Sequence, residues 1–209
     1  MAASSIKRLD MQLQEYFDQL APTWDEELTQ DRLNCLGNIV RELGIKPGNY
    51  VLDVGSGTGV LLPLLIAEMG GEGKIAALDF SAEMLCQAQT KNFPPMVGFA
   101  QADVLAIPLA DNSVDMAICN SVFPHFDDKA RALKEITRVL RNNGRLVICH
   151  TMSREMVNQL HQSIGGVVAN DLLPPEFQLR ELIKQAGLKI THFEDSPERY
   201  LVIAEKSAC

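Results

Sequence analysis

At 209 residues, with 46% hydrophobic and 22% charged content, the chain is long enough for one α/β domain with a full core. A formal net charge of −8 argues against a nucleic-acid partner, which needs clustered Lys and Arg. The longest apolar run, Val60 to Ala67, includes Pro63 and falls well short of the roughly 20 residues that span a bilayer, so no membrane span is expected.

Residues from about Asp10 to Gly44 read as helical. Met11, Tyr16, Phe17 and Leu20 fall at helical spacing until Pro22 interrupts them. A second helix is expected over Trp24–Leu43, with Leu28, Leu33, Leu36, Ile39, Val40 and Leu43 on its apolar face. Gly44 ends it and Pro47-Gly48 turns the chain. Strands are then expected at Tyr50–Val54, Lys74–Asp79, Val97–Gln101, Val114–Asn120 and Arg145–Cys149. Helices alternate with them at Val60–Met69, at Ala82–Lys91 behind a Ser81 cap, and at Lys129–Leu140 ahead of Asn142-Asn143-Gly144. Residues 151–175 are less regular, with a helical segment at Glu155–Ile164 and a break at Gly165-Gly166. A helix at Phe177–Ala186 and two strands, Leu188–Glu194 and Tyr200–Glu205, close the chain. This alternation predicts a doubly wound α/β fold: a parallel sheet with helices on both faces, in one domain. Ligands of such sheets collect beyond the carboxyl ends of the strands.

Cys35, Cys86, Cys119, Cys149 and Cys209 lie far apart without a CxxC pair, and Met1–Arg8 lacks the apolar core of a secretory leader. Both features suit reduced thiols and a cytoplasmic location.

The stretch with most chemistry is Asp53-Val54-Gly55-Ser56-Gly57-Thr58-Gly59, a buried strand breaking into a glycine-dense turn before a helix. A nicotinamide-binding loop wants G-x-G-x-x-G, but here the third glycine arrives one residue early and Val60 stands in its place. No Gly-Lys-Ser/Thr follows, so a phosphate loop is excluded too. Asp79, at the end of the second strand, is placed to accept from both hydroxyls of a ribose and disfavours a 2′-phosphate. Asp103 follows the third strand, where a carboxylate can accept from an exocyclic amine while Ala102 and Val104 flank a purine.

In these motifs the chain resembles the class I S-adenosylmethionine-dependent methyltransferases, of the type grouped with ubiquinone/menaquinone biosynthesis enzymes. The matching residues are Val51–Gly59, Leu78–Leu85, Ala102–Val104, Ile107–Asp115, Asn120–Phe126, Glu135–Leu140 and Asn143–Leu146. The resemblance implies a Rossmann-like, mostly parallel seven-stranded sheet whose last strand is antiparallel, with S-adenosyl-L-methionine as cofactor. By the same resemblance Gly55, Gly57 and Gly59 admit the methionine part, with Asp53 on its amino group. Asp79 then holds the ribose, Met84 packs on the adenine, Asp103 accepts from its amine, and Asn120 offers its carbonyl to the ammonium. Ser56, Phe80, Ala102 and Val104 line the same site. Met84 has a plain alternative as core filler, since Met at helical spacing fills gaps. Residues 1–44, including Tyr16-Phe17-Asp18 and Trp24-Asp25, are expected to form a helical lid on the 45–209 core, and 151–175 a cap-like insertion.

Methyl transfer from a sulfonium is an in-line displacement that chiefly needs collinear positioning in a dry pocket, so a general base is optional. His125, after the fourth strand, is the leading catalytic candidate, with packing or capping as its alternative. Tyr16, Trp24, Phe123, His125, His150 and His161 are the expected acceptor-pocket residues. No metal is expected: Cys119 and Cys149 suit a core, and Asp127-Asp128 suits a helix start. The expected function is methyl transfer to a small molecule, the alternative a non-catalytic regulatory protein that binds S-adenosylmethionine. Residues 150–175 depart from the quinone enzymes, and a homodimer is compatible with the sequence.

Overall fold

The computed structural model describes residues 12–207. Met11, Cys209 and the first residues of the expected lid lie outside them. Seven strands form one sheet: β1 Tyr50–Val54, β2 Lys74–Asp79, β3 Val97–Gln101, β4 Val114–Asn120, β5 Leu140–His150, β6 Leu188–Asp195 and β7 Tyr200–Lys206. Their order is β3-β2-β1-β4-β5-β7-β6, and only β7 runs antiparallel to its neighbours. The helices are α1 (12–20), α2 Gln30–Glu42, α3 Leu62–Glu68, α4 Ala82–Thr90, α5 Lys129–Val139, α6 Arg154–Ile164 and α7 Glu176–Gln185. Strand order reverses between β1 and β4, and that switch point is where a doubly wound sheet opens a crevice.

The sheet is apolar on both faces, as a covered parallel sheet must be. Leu52, Val54, Ala117, Leu146 and Ile148 pack with Leu133 and Ile136 of α5 and Leu179 and Ile183 of α7. Val51, Ile75, Ile118 and Val147 pack with Leu36, Ile39 and Val40 of α2 and Leu62 and Leu65 of α3. Four helices start where a short polar side chain accepts a backbone N–H: Thr29 from Arg32, Ser81 from Met84, Asp128 from Arg131 and Ser153 from Met156. Each such cap is worth about 1 kcal/mol.

Two expected elements need correction. Trp24 does not begin α2; it sits in a separate 3-10 helix, Ala21–Glu27. Leu28 and Thr29 are extended, and the Thr29 cap restarts the helix at Gln30. Likewise β5 begins at Leu140 rather than Arg145, because Leu140 already pairs with Val114. Residues 141–144 are taken up in an irregularity before Arg145 pairs with Met116.

Candidate functional site

The glycine loop leaves β1 at the switch point. Gly55 has a φ of +65°, and a Cβ there would lie 2.3 Å from Val122 Cγ2. Only a glycine allows the loop after β1 and the loop after β4 to touch at this point. The β4 side reaches across because Ser121 is itself left-handed, at φ 57°. That conformation is uncommon for a residue with a side chain.

Asp79 at the end of β2 holds the loop from beside it. Its Oδ2 accepts from the Gly57 N–H at 2.7 Å and its Oδ1 from the Ser81 N–H at 2.9 Å. Each oxygen keeps a lone pair for a further donor, such as a ribose hydroxyl. Burial pushes its pKa up, while the backbone donors pull it back. Asp53 is more extreme. It is 1% exposed, and neither carboxylate oxygen has a partner among the described residues. Burial first, and the charge of Asp79 second, raise its pKa to about 7. Ser56 Oγ is buried and unpartnered too. Buried polar atoms without partners are uncommon in folded proteins, and here three of them cluster at one loop.

A cavity of about 350 Å³ opens beside the loop, a volume within the range of small-molecule sites. Its walls include Gly55, Asp79, Asp103, Val122, His125 and Asp127. Phe80, Ala102 and Val104 line it as well. Asp103 also caps a short turn, accepting from the Leu105 N–H at 2.8 Å through Oδ1, which leaves Oδ2 free for an incoming donor. The loop carrying it is pinned from α5. Arg138 donates to the carbonyls of Ile107 and Leu109, each at 2.9 Å, and Glu135 accepts from the Ile107 N–H at 2.9 Å.

The cavity lining contains no Lys or Arg but three carboxylates, with Asp53 buried at the end of β1. Such walls disfavour phosphates and favour a cation. S-adenosylmethionine, which carries an ammonium and a sulfonium, fits these residues: Asp53 and Ser56 supply waiting acceptors, Asp79 and Asp103 free lone pairs.

Residues 12–27 lie over this site. Phe17 is 9% exposed, and its ring centroid lies 5.9 Å from that of Phe80, 5.8 Å from Trp24 and 5.1 Å from His125. Met84 joins the same cluster at 2% exposure and does not line the cavity. Polar latches complete the seating. Ser81 Oγ donates to Asp18 at 2.5 Å, Thr58 Oγ1 donates to Asp25 at 2.5 Å, and Lys91 lies 2.6 Å from the other Asp25 oxygen.

The expected acceptor-pocket residues divide. His125 lines the cavity, and His161 stacks on it at 4.8 Å between ring centroids. Tyr16 and Trp24 belong to the aromatic cluster around Phe17 rather than to the cavity lining. Phe123 is fully buried, edge-on to Phe126 at 5.5 Å. His150 is 4% exposed, its ring 6.1 Å from that of Tyr200, and burial lowers its pKa to about 3. Asn120 ends β4 beside Cys149, with 3.8 Å between Oδ1 and Sγ. Leu13, Gln14 and Asp171 are not legible as site residues in the sequence. Leu13 and Gln14 carry a helical pattern but no chemical motif, and Asp171 stands in an irregular stretch. No cluster of three His, Cys, Asp or Glu side chains able to hold a metal occurs among the described residues.

Fold and cavity together define the class: a doubly wound α/β protein with a carboxylate-lined site that suits a cationic ligand rather than a phosphate-bearing one. A family model for a methyltransferase domain matches residues 52–148. A demethylmenaquinone methyltransferase from Corynebacterium kroppenstedtii is 32% identical over 172 residues, 71% of this chain and 72% of that protein. A 2-phytyl-1,4-naphtoquinone methyltransferase from Nostoc sp. is 32% identical over 141 residues, 63% of this chain. A solved S-adenosylmethionine-dependent methyltransferase from Aquifex aeolicus superposes with a TM-score of 0.73 at 25% identity, covering 90% of this chain and 97% of that one. The chain belongs to the S-adenosylmethionine-dependent methyltransferases. It spans less than two thirds of several curated relatives it matches, 61% of the Nostoc enzyme and 37% of a 37.1 kDa transposon protein from Streptomyces fradiae.

Proposed function

We propose that this chain binds S-adenosylmethionine in the cavity beside the glycine loop and transfers its methyl to a small-molecule acceptor. The observation that carries this reading is the pair of unpartnered oxygens on Asp53, buried beside a carboxylate-lined cavity. In the proposed arrangement Asp53 and the Asn120 carbonyl receive the ammonium, and Gly55, Ser56, Gly57 and Gly59 admit the methionine part. Asp79 holds the ribose. Asp103 accepts from the adenine amine between Phe80, Ala102, Val104 and the Met84 side. The bound cofactor supplies an electrophilic methyl, and the chain's own work is to exclude water and align the acceptor with it.

Residues 12–27 serve as the lid, a role supported by the Phe17 cluster and the Asp18 and Asp25 latches, whereas α2 of the expected 1–44 lid packs into the core on one face of the sheet. Residues 151–175 form the cap on the acceptor side, where His161 and Asp171 approach His125. The quinone-directed names of two relatives support an aromatic acceptor. Cys35, Cys86, Cys119 and Cys149 are all free, which supports a reducing, cytoplasmic setting. No described helix is long and apolar enough to cross a membrane. Isothermal titration with S-adenosylmethionine and S-adenosylhomocysteine tests the reading. Saturable one-site binding that Asp79→Ala abolishes is expected, and no heat of binding from either compound overturns it.

A further inference from the structure

His125, after β4, meets a carboxylate from the irregular segment between α6 and α7. His125 Nδ1 lies 2.7 Å from Asp171 Oδ2, and a carboxylate oxygen only accepts, so the proton belongs on Nδ1. The other ring nitrogen, Nε2, then carries a lone pair and has no partner among the described residues. His161 Nδ1 donates to the backbone carbonyl of the same Asp171, which fixes its tautomer the same way. One residue thus orients two stacked imidazoles. Asp171 is itself held in place: Leu173 exchanges two hydrogen bonds with Asn158 of α6, at 2.8 and 3.1 Å. On the other side, Lys129 donates to the carbonyls of Pro124 and Phe126, at 2.8 and 2.9 Å, and so fixes the turn that carries His125. Phe17, Val122 and Phe126 give an apolar, partly aromatic wall beside His125, with the Asp127 carboxylate in the same cavity lining.

We propose that His125, positioned by Asp171, is a general base for the acceptor, which makes the acceptor a phenolic hydroxyl compound rather than a thiol or an amine. Resting on the methyltransferase reading, the step runs as follows. The hydroxyl proton moves to His125 Nε2, and the oxygen's electron pair forms the O–C bond to the methyl. The C–S bond breaks with its pair going to sulfur, leaving a methyl ether, S-adenosylhomocysteine and an imidazolium facing Asp171. A hydroxyl or a carbon acid needs such a base most and a thiol or amine least, and the aromatic wall beside His125 suits a phenol. Burial keeps His125 below its ordinary pKa and therefore neutral near pH 7, as a base must be. The Asp171 hydrogen bond and charge oppose that shift, while His161 and Lys129 add to it. Asp127, in the same cavity lining, and buried His150 are further titratable groups nearby.

Nitrogen-15 NMR of the histidine rings, with S-adenosylhomocysteine bound, reads the dyad without turnover. His125 is expected as the Nδ1–H tautomer, and Asp171→Asn should lower its pKa. Turnover is read with a matched pair of probes, 1-naphthol and naphthalene-1-thiol. His125→Gln is expected to slow methylation of the naphthol by about a hundredfold or more and leave the thiol, already ionised at pH 8, within a few-fold. Asp171→Asn should move the acid limb of kcat/KM for the naphthol to lower pH, while Asp171→Glu restores part of kcat. Three results overturn the proposal: an Nε2–H tautomer for His125, equal loss on both probes, or methylation of the thiol with none of the naphthol. A failure of the unsubstituted protein to bind S-adenosylhomocysteine instead overturns the methyltransferase reading, so the two are told apart.

Discussion

Gly55→Ala tests whether the contact between the two loops organises the site. The left-handed backbone at Gly55, φ +65°, costs an L-residue about 1–2 kcal/mol. The new Cβ would also lie 2.3 Å from Val122 Cγ2, 2.6 Å from its Cβ and 3.1 Å from its Cγ1. Overpacking of that kind adds about 1–3 kcal/mol, for a combined loss of about 2–5 kcal/mol. Against a domain stability of about 5–15 kcal/mol the variant still folds, with a lower urea midpoint. Val122→Gly removes all three close atoms and so removes the steric part while keeping the backbone part. In a double-mutant cycle the cost of Gly55→Ala should therefore fall by about 1–3 kcal/mol in the Val122→Gly background. Urea denaturation of the four proteins measures the cycle, and titration with S-adenosylhomocysteine follows the site in parallel. An equal cost in both backgrounds refutes the contact between the loops as the reason for the glycine.

Three further predictions address other parts of the site. Because burial raises Asp53 from 3.8 to about 7, the folded chain keeps a proton that the unfolded chain has already lost. Stability of the ligand-free protein should fall between about pH 4 and pH 7, by up to about 4 kcal/mol. Asp53→Asn should flatten that slope and exceed the parent's stability at pH 8 while binding S-adenosylmethionine more weakly; unfolding midpoints at pH 5 and pH 8 check the sign. Arg138→Gln strands the carbonyls of Ile107 and Leu109 and should cost about 1–3 kcal/mol, with faster amide exchange across residues 104–111. Unchanged exchange there would mean the pin is idle. Asp25→Ala cuts a latch whose ion pair is a third to two-fifths exposed, so its stability cost should stay below about 1 kcal/mol. Limited proteolysis should nonetheless open residues 12–27 sooner, and protection equal to the parent's would sink the latch.

What the sequence discloses tracks the distance over which each feature is decided. The strands β1 to β4 are bounded by local signals, and the structure places all four at the expected residues. Ser81 is legible as a cap for the same reason, since its partner Met84 is three residues away. The α2 start is not legible because an apolar pattern runs through the extended Leu28-Thr29 step, and the Thr29 cap is a weak signal beside that longer period. The start of β5 was hidden by a pairing with Val114, a partner distant in the chain. Asp79 and Asp103 could be placed because each directly follows a strand. Asp171 could not: it meets His125 across 46 positions, from an irregular segment held by the Asn158–Leu173 bonds.

The same divide separates stability from function within the site. Asp53 and Ser56 Oγ, buried without partners, and the left-handed backbone of Ser121 each cost the ligand-free chain free energy. The costs are offset from outside the loop, by Asp79 on the Gly57 amide and by Asp18, Asp25 and Phe17 of the N-terminal segment, which contact Ser81, Thr58 and Met84. A cationic ligand that satisfies Asp53 removes the largest of these costs, so binding and lid seating should reinforce each other. Because ligation favours the ionised form of Asp53, binding near pH 6.5 should also release a fraction of a proton. Titrations in two buffers of different ionisation enthalpy measure that release directly. A binding heat independent of buffer would place the ammonium elsewhere than on Asp53.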